Sequence, residues 1–224
     1  MSGHVPLAVL FDLDGTLIDT APEFVAIGLQ LRQAAGLPAI APDTIRSSVS
    51  DGAIGMVATA LGMTTTDPAF EQWRQRFLDD YEKGLGQHSE PYPGLLALIS
   101  TLASVGIKWG VVTNKLSRFA HPLMEKMAFD PAADIIITPD DVTHPKPHPE
   151  SLILACHRLN CPPDRTVFIG DHRRDIEAGN AAGCATIAAA YGYLADGESA
   201  SAWEANAIAT SSLELSQMIE NQLQ

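Results

Sequence analysis

The sequence predicts an α/β fold in which a doubly wound parallel sheet carries a small helical module inserted near its start. Three observations lead to this prediction. Strand-like and helix-like segments alternate from residue 95 onward, a pattern typical of parallel sheets. Residues 20–85 show no strand-like alternation and predict a small helical bundle. A length of 224 residues is long for one simple domain and short for two full ones.

The composition limits the class of protein. Hydrophobic residues make up 46% of the chain and charged residues 18%, which indicates a globular protein with a real core. The formal net charge is -13 and no basic run is present, so we expect no binding to nucleic acid or to an anionic membrane. The three cysteines form no Cys-x-x-Cys pair, and no apolar run is long enough to span a bilayer. We therefore expect a cytoplasmic protein, either a monomer or a homodimer.

The elements of the first half are predicted from periodicity. An apolar run, Leu7–Leu10, predicts the first strand, and a helix ended by Gly36 follows it. A second helix is predicted over residues 53–61, and a third after Pro68, which suits a first helical position. We interpret the aromatic stripe of this third helix as core rather than as a ligand site. The residues on the two helical faces are Phe24, Ile27, Leu31 and Ala34, and then Phe70, Trp73, Phe77 and Tyr81.

The segment 91–94, with two prolines and a glycine, marks a rigid return to the sheet, after which helices and strands alternate. A last helix is predicted after Ser211, which has capping-box spacing to Glu214. The predicted strands cover 107–112, 135–137, 166–169 and 185–190, and the predicted helices cover 95–105, 117–127, 150–159 and 175–182.

Polar residues follow three of the predicted strands. Asp12 follows the first strand, Thr113 the strand that ends at Val112, and Asp171 the strand that ends near Gly170. Because ligands of such sheets bind beyond the carboxyl ends of the strands, we expect these side chains to meet at one edge. Asp12 and Asp14 stand only two residues apart after a buried strand, so we also expect a cation to hold them, most simply a hard metal ion.

Four motifs, in this order, resemble those of the haloacid-dehalogenase-type phosphohydrolases. Phe11–Thr16 contains Asp-x-Asp-Gly-Thr, and Val111–Asn114 is similar to the second motif, an apolar strand that ends in Ser or Thr. Lys146–Pro149 meets the pattern Lys-Pro-x-Pro, and Gly170–Asp175 completes the set. The resemblance implies a Rossmann-like core over 1–16 and 89–224, with a helical cap over 17–88.

The resemblance also implies a role for each motif. Asp12 would be the nucleophile that forms an aspartyl-phosphate, and Asp14 the general acid and then the base. Lys146 would offset the charge of the phosphoryl group and the nucleophile. The expected phosphate-binding residues are Thr113, Asn114, Gly15 and Lys146. The expected Mg²⁺ site consists of Asp12, the backbone carbonyl of Asp14, Asp171 and Asp175, the last either directly or through water.

Two further residues are candidates for substrate specificity. Arg46 and the loop 50–53 of the cap are expected to face the leaving group, where Arg46 would grip a substrate carboxylate; an ordinary exposed arginine is the alternative. His172 stands where many relatives carry a short polar residue, and it could alter substrate contacts. His144 and His148 flank Lys146 and are interpreted as loop residues.

The second acid narrows the choice of reaction. Asp14 disfavours the haloalkanoate dehalogenases and the P-type transport ATPases, which leaves a phosphatase as the leading prediction. A sugar phosphomutase and a non-catalytic phospho-ligand sensor are the alternatives. The whole chain resembles the bacterial phosphoglycolate phosphatases. More narrowly, Trp109–Lys115, residues 174–177 and 191–193 resemble the N-acetylmuramic acid 6-phosphate phosphatases. The expected partner is therefore a small phosphorylated metabolite, either of these two.

Overall fold

The computed structural model describes residues 5–194 and 197–223. Within these ranges, a six-stranded sheet and a two-stranded ribbon are combined with nine α-helices. The strands are β1 (Ala8–Phe11), β2 (Ile18–Asp19), β3 (Glu90–Pro91), β4 (Lys108–Val112), β5 (Ile135–Ile137), β6 (Thr166–Gly170), β7 (Ala185–Ala189) and β8 (Ala207–Ala209). The helices are α1 (Ala21–Ala34), α2 (Pro42–Arg46), α3 (Gly52–Leu61), α4 (Phe70–Gly84), α5 (Leu95–Ser104), α6 (Ser117–Met127), α7 (Glu150–Leu159), α8 (Arg173–Ala182) and α9 (Ser212–Glu220).

The main sheet has the strand order β5-β4-β1-β6-β7-β8, and every pairing in it is parallel. β1 lies between β4 and β6, with Phe11 level with Val111 on one side and Ile169 on the other. The chain therefore leaves β1 at the point where the order of the strands reverses, which is where sheets of this kind bind ligands. The predicted doubly wound α/β fold is confirmed.

Both faces of β1 are buried, because its side chains alternate between two apolar cores. Val9 and Phe11 point to the face covered by α5, α6 and α9, where Trp109 packs edge-on against Phe11. Ala8 and Leu10 point to the opposite face, which α7 and α8 cover. Burial on both faces explains why the sequence of this strand is continuously apolar instead of alternating.

Helices α1 to α4 lie between β2 and β3, which pair as an antiparallel ribbon. Their apolar side chains form a core of their own, built around Phe24, Leu31 and Phe77, and this core extends to Phe119 of the sheet side. The carboxylate of Glu23 on α1 is buried and accepts hydrogen bonds from the backbone N–H groups of Gly86 (3.0 Å), His88 (2.7 Å) and Ser89 (3.1 Å). Glu23 therefore holds the returning chain against α1. The cap bounds 17–88 stay a prediction.

The start of one helix differs from the sequence-based prediction, and four short elements were missed by it. The third helix begins at Phe70, so Pro68 lies in the preceding turn and not at a first helical position. The two-residue strands β2 and β3, the five-residue α2 and the edge strand β8 are too short for periodicity to reveal.

The cap of the last helix is half of the predicted box. The hydroxyl of Ser211 accepts the N–H of Glu214 (3.1 Å), as predicted. The Glu214 carboxylate, however, accepts the N–H of Thr210 (2.7 Å) and not that of Ser211. The three cysteines are buried and free. Among the described helices, none combines the length and the apolar character needed to cross a membrane.

Candidate active site

The first motif forms a tight turn at the end of β1. The N–H of Asp12 continues the strand pairing by donating to the carbonyl of Ile169 (2.8 Å). The chain then turns at Gly15, which has a φ of 78°; a Cβ there would lie 2.1 Å from a carboxylate oxygen of Asp171. Only glycine fits this position, because the backbone there has a positive φ and there is no room for a side chain. The turn thus packs the backbone of Gly15 against Asp171, directly after the end of β6.

Lys146 is fully buried between two carboxylates. Its ammonium lies 2.9 Å from Oδ1 of Asp12 and 2.7 Å from Oδ1 of Asp175, and it donates to the carbonyl of Val112 (2.8 Å). Burial alone lowers the pKa of Lys146, but the charges of Asp12 and then Asp175 outweigh burial, so the pKa is raised. The structure therefore holds a charged ammonium directly against the predicted nucleophile.

Asn114 holds the loop that carries Lys146, a role that the sequence did not reveal. The side-chain amide of Asn114 donates to the carbonyl of Lys146 (2.8 Å), and its oxygen accepts the N–H of Lys146 (3.2 Å). The neighbouring Thr113 is buried, lines the cavity described below, and accepts the N–H of Lys115 at its hydroxyl (3.1 Å). The side chain of Asn114 thus serves to position Lys146, while phosphate binding by Thr113 and Asn114 stays a prediction.

Asp12, Asp171 and Asp175 form a buried carboxylate cluster in which one oxygen from each lies within 4.8 Å of the others. Burial, and then the charges of Asp12 and Asp175, raise the pKa of Asp171 well above its ordinary value. Burial also raises the pKa of Asp175, and Asp12 adds to this against the opposing effect of Lys146. Three carboxylates against one ammonium leave two negative charges without a counterion, so the donor set fits a divalent, oxygen-preferring cation.

The other contacts of Asp171 connect the cluster to the cap. Its carboxylate accepts the hydroxyl of Thr16 (3.3 Å) and the N–H of Tyr193 (2.8 Å). The hydroxyl of Tyr193 accepts the N–H groups of Thr20 (2.7 Å) and Ala21 (2.9 Å) at the start of α1, and donates to Asp19 (2.6 Å). Tyr193 therefore bonds to the cluster at one end and to the first cap helix at the other.

His172 caps α8. Its Nδ1 accepts the N–H of Arg174 (3.1 Å), while the carboxylate of Asp175 accepts the N–H of His172 (3.1 Å). This reciprocal pair fixes the first turn of α8 and aims Asp175 at Lys146. Burial lowers the pKa of His172 and favours the neutral ring that capping requires. His172 is not among the residues that line the cavity.

Asp14 pairs with a lysine that the sequence analysis assigned no role. Its carboxylate lies 2.9 Å and 3.1 Å from the ammonium of Lys115 and accepts the hydroxyl of Thr20 (2.7 Å). The side chain of Lys115 is only 5% exposed, and its ammonium lies over the rings of Tyr81 (4.6 Å) and Phe24 (5.0 Å). Burial lowers the pKa of Lys115, but Asp14 and then Tyr81 outweigh it, so the pKa is raised. The position of Lys115 just beyond the end of β4 was the signal available in the sequence.

A cavity of about 370 Å³ lies between this edge of the sheet and the helices of the cap. Phe77 and Tyr81 line it, so these two members of the aromatic stripe are both core and cavity wall; the interpretation of the stripe as core alone was incomplete. The sheet side contributes Asp12, Asp14, Thr113, Asn114, Lys115, Leu116, Phe119 and Arg174, and the cap contributes Phe24, Val49, Ser50, Asp51, Gly52, Ala53, Ile54, Arg74, Phe77, Leu78 and Tyr81.

The loop 50–53 reaches this cavity as expected, but the structure does not bring Arg46 to it. Arg46 pairs with Asp19 (3.2 Å) and lies over the ring of Tyr193 (5.2 Å). Its charge is therefore used on the ribbon β2–β3, and the predicted grip of Arg46 on a substrate carboxylate has no support in this arrangement.

A second group of possible metal ligands lies on the surface, where His144, His148 and Glu150 approach within 4.8 Å. The Nδ1 atoms of both histidines and the carboxylate of Glu150 are engaged in the loop itself. Nδ1 of His148 accepts the N–H of Glu150 (3.3 Å), and the Glu150 carboxylate accepts the N–H groups of Thr143 (2.9 Å) and His144 (3.0 Å). These contacts fasten the loop of Lys146, which agrees with the interpretation of both histidines as loop residues.

Comparison with known proteins gives one family. A family model described as haloacid dehalogenase-like hydrolase matches residues 9–189. The chain is 44% identical to an N-acetylmuramic acid 6-phosphate phosphatase of Pseudomonas aeruginosa, over 96% of both chains. It is 34% identical to a phosphoglycolate phosphatase of Xanthomonas campestris, over 91% of both. The crystal structure of a predicted phosphoglycolate phosphatase from Haemophilus somnus superposes with a TM-score of 0.83 at 23% identity, over 97% of this chain and 99% of that one, which shows a shared fold.

Proposed function

Because the chain belongs to the haloacid dehalogenase-like hydrolases, we propose that it hydrolyses a small phosphomonoester through an aspartyl-phosphate on Asp12, with Mg²⁺ as its cofactor. The observation that carries this proposal is the buried cluster of Asp12, Asp171 and Asp175 around Lys146. A cluster of this kind at the carboxyl edge of a parallel sheet, with a cavity above it, supports chemistry on an anionic group.

In the first half-reaction, a carboxylate oxygen of Asp12 attacks phosphorus, and the bond from phosphorus to the leaving oxygen breaks. Asp14 gives its proton to that oxygen, so the leaving group departs as an alcohol. Lys146, held 2.9 Å from Asp12, reduces the repulsion between the nucleophile and the phosphoryl oxygens. Asn114 keeps Lys146 in this place through its two hydrogen bonds to the loop.

In the second half-reaction, a water molecule attacks the phosphorus of the aspartyl-phosphate. Asp14, now unprotonated, takes a proton from this water, the bond between phosphorus and Asp12 breaks, and inorganic phosphate leaves. Asp14 is suited to both steps, because its side chain borders the cavity next to the nucleophile and is 20% exposed to solvent. A non-catalytic phospho-ligand sensor would need no such acid and base.

The residues that would hold Mg²⁺ are Asp12, Asp171, Asp175 and the backbone carbonyl of Asp14. When bound, the ion would offset the two unbalanced negative charges of the cluster and the charge of the phosphoryl group. Asp175 already accepts one hydrogen bond and one ion pair, from His172 and Lys146, so contact through water is a suitable arrangement for it.

For the substrate, we favour N-acetylmuramic acid 6-phosphate over 2-phosphoglycolate. Two observations support this order. Trp109–Lys115 and residues 191–193 resemble the corresponding segments of the N-acetylmuramic acid 6-phosphate phosphatases. The chain is also more identical to the relative named for the sugar phosphate, at 44%, than to the relative named for phosphoglycolate, at 34%. The cavity of about 370 Å³ is within the usual range for small-molecule sites.

The test is phosphate release by the purified wild-type chain from both esters, from glucose phosphates and from a nucleotide, with Mg²⁺ and with a chelator. We expect release only with Mg²⁺, and a higher kcat/KM for the sugar phosphate than for phosphoglycolate. Asp12→Asn should abolish release, and acid-quenched wild type should carry one extra phosphoryl group that this variant lacks. Asp43→Asn, which changes an exposed carboxylate on α2, is the matched control.

Each other outcome counts against the proposal. Substantial release by Asp12→Asn would refute the nucleophile, and release that the chelator does not affect would refute the cofactor. Conversion of one sugar phosphate into another would favour a phosphomutase, and tight binding without release would favour a sensor. A higher kcat/KM for phosphoglycolate would reverse the order of the two substrates.

A further inference from the structure

We propose that Lys115 and Tyr81 form a carboxylate-binding subsite next to Asp14, which selects phosphomonoesters whose leaving group carries a carboxylate. The inference rests on the proposed function and adds to it a feature that the substrate must have. It replaces Arg46, which the structure places away from the cavity, with a pair of residues that line it.

The position of Lys115 follows from its partner. Asp14 must reach the leaving oxygen to protonate it, and the ammonium of Lys115 lies 2.9 Å from Asp14. The ammonium is therefore within about two hydrogen-bond lengths, roughly 6 Å, of the leaving oxygen. In 2-phosphoglycolate the carboxylate is separated from that oxygen by a single carbon, so this distance matches the substrate. In N-acetylmuramic acid 6-phosphate, the carboxylate belongs to the lactyl group on the sugar ring and is separated from the leaving oxygen by more bonds.

The walls around Lys115 restrict where its charge can act. The rings of Phe24 and Tyr81 border the ammonium, and only 5% of the side chain is exposed. A buried lysine held in this way loses little conformational entropy when it binds an anion, because the side chain is already ordered. Its ion pair is with Asp14, a residue of the cavity itself.

Tyr81 supplies a second donor. It is 2% exposed and lines the cavity, its hydroxyl oxygen lies beside the ammonium of Lys115, and no acceptor for the hydroxyl proton lies within hydrogen-bond distance among the residues that the structure describes. A buried hydroxyl proton without an acceptor is unfavourable, so it favours a ligand that accepts a hydrogen bond. A carboxylate has two acceptor oxygens and would satisfy the ammonium of Lys115 and the hydroxyl of Tyr81 together.

The other cations of the cavity are engaged elsewhere. Arg74 forms two hydrogen bonds to Glu71 on the same helix, at 2.6 Å and 2.8 Å. Arg174 donates to the carbonyl of Ser50 and so joins α8 to the cap loop, although its Nε has no partner within the described part of the chain. Since the net charge of the chain is -13, an anionic leaving group needs a local cation, and Lys115 is the one that lies next to Asp14.

The test compares esters whose leaving group carries a carboxylate with related esters whose leaving group has none. One pair is N-acetylmuramic acid 6-phosphate and N-acetylglucosamine 6-phosphate; the other is 2-phosphoglycolate and ethyl phosphate. The wild-type chain should prefer the carboxylate-bearing member of at least one pair in kcat/KM. In Lys115→Met this preference should fall by about tenfold or more, the size expected for a lost hydrogen bond to a charged group. Lys115→Arg should retain part of it, and Tyr81→Phe should reduce it by a smaller factor.

The preference between paired esters, and not the absolute rate, is the readout, because losing the partner of Asp14 should slow every substrate. Thermal unfolding would verify that each variant is folded. An equal loss for both members of each pair would overturn the inference and leave Lys115 as a residue that only positions Asp14. Loss of the preference in Arg174→Met or Arg74→Met, but not in Lys115→Met, would also overturn it. Phosphate release with an unchanged preference refutes this inference alone, whereas no release from any ester refutes it together with the proposed function.

Discussion

Replacing Lys146 by methionine should lower the thermal stability of the protein and nearly stop turnover. The ammonium contacts Asp12 at 2.9 Å and Asp175 at 2.7 Å with no exposure to solvent. Methionine fills most of the volume of the side chain but leaves the two carboxylates without their shared cation. Removing one partner of a buried ion pair costs about 3–5 kcal/mol. For a chain of this length, 1 kcal/mol corresponds to roughly 2–4 °C, so Tm should fall by roughly 6–20 °C.

The kinetic effect follows from the same contacts. Lys146 acts where negative charge meets negative charge, and loss of one such electrostatic donor costs about 2.7–4 kcal/mol, or roughly 10²–10³ in kcat. The assay is thermal unfolding by circular dichroism with a chelator present, since a bound divalent cation would hide part of the loss, followed by phosphate release with Mg²⁺. Lys83→Met, which changes an exposed lysine of α4, is the control, and its Tm should change by less than about 4 °C.

A second substitution tests the cause. If the destabilisation comes from uncompensated charge, Lys146→Met combined with Asp175→Asn should be more stable than Lys146→Met alone, although kcat should stay at least about 10²-fold below wild type in both variants. A Tm of Lys146→Met within about 2 °C of wild type would refute the reasoning, since it would mean that the pair contributes less than about 1 kcal/mol. A double variant that is less stable than the single one would show that packing, and not charge, governs the site.

Two further predictions concern the metal cluster and the cap. Burial and the neighbouring carboxylates raise the pKa of Asp171, so the folded protein favours the protonated form of this residue. Protonated Asp171 therefore adds to the stability of the fold at low pH, and this contribution is lost as the pH rises through the pKa of the folded state. Asp171→Asn should therefore raise Tm without Mg²⁺ near pH 8, lose activity, and abolish the rise of Tm on adding Mg²⁺; an equal rise in variant and wild type would contradict the assignment of Asp171 as a ligand. Glu23→Ala should cost about 2 kcal/mol or more in unfolding free energy, because three backbone N–H groups, two of them in the buried residues Gly86 and Ser89, lose their acceptor, whereas the exposed Glu82→Ala should have little effect. Denaturant unfolding measures both glutamate variants, and similar midpoints for the two would contradict the role of Glu23.

The sequence was most informative where local pattern and position in the fold coincide. Asp12, Thr113 and Asp171 each follow a strand, and parallel strands end at one edge, so their proximity was predictable without any knowledge of side-chain packing. The rigid segment Lys146–Pro149 was recognisable for a different reason, since its prolines exclude a helix interior. These residues meet at the carboxyl edge, as predicted.

What the sequence left out depends on contacts between distant segments. The pairing of Asp14 with Lys115 spans 101 positions, and that of Asn114 with the backbone of Lys146 spans 32. Arg46 was expected to face the leaving group together with the loop 50–53 and to bind a substrate carboxylate, but it pairs instead with Asp19 of the ribbon. Which cation faces the cavity is decided by how the cap rests on the sheet, and no local pattern records that.

Tyr193 links the position of the cap on the sheet to the geometry of the carboxylate cluster. Its hydroxyl, at the end of a rigid ring, is hydrogen-bonded to Asp19, Thr20 and Ala21, while the backbone N–H of Tyr193 is hydrogen-bonded to Asp171. Lifting the start of α1 from the sheet must break three hydrogen bonds at that hydroxyl or pull Asp171 out of line. One residue therefore holds both the cap and the carboxylate cluster, so Asp171 is correctly positioned whenever the cap is docked on the sheet.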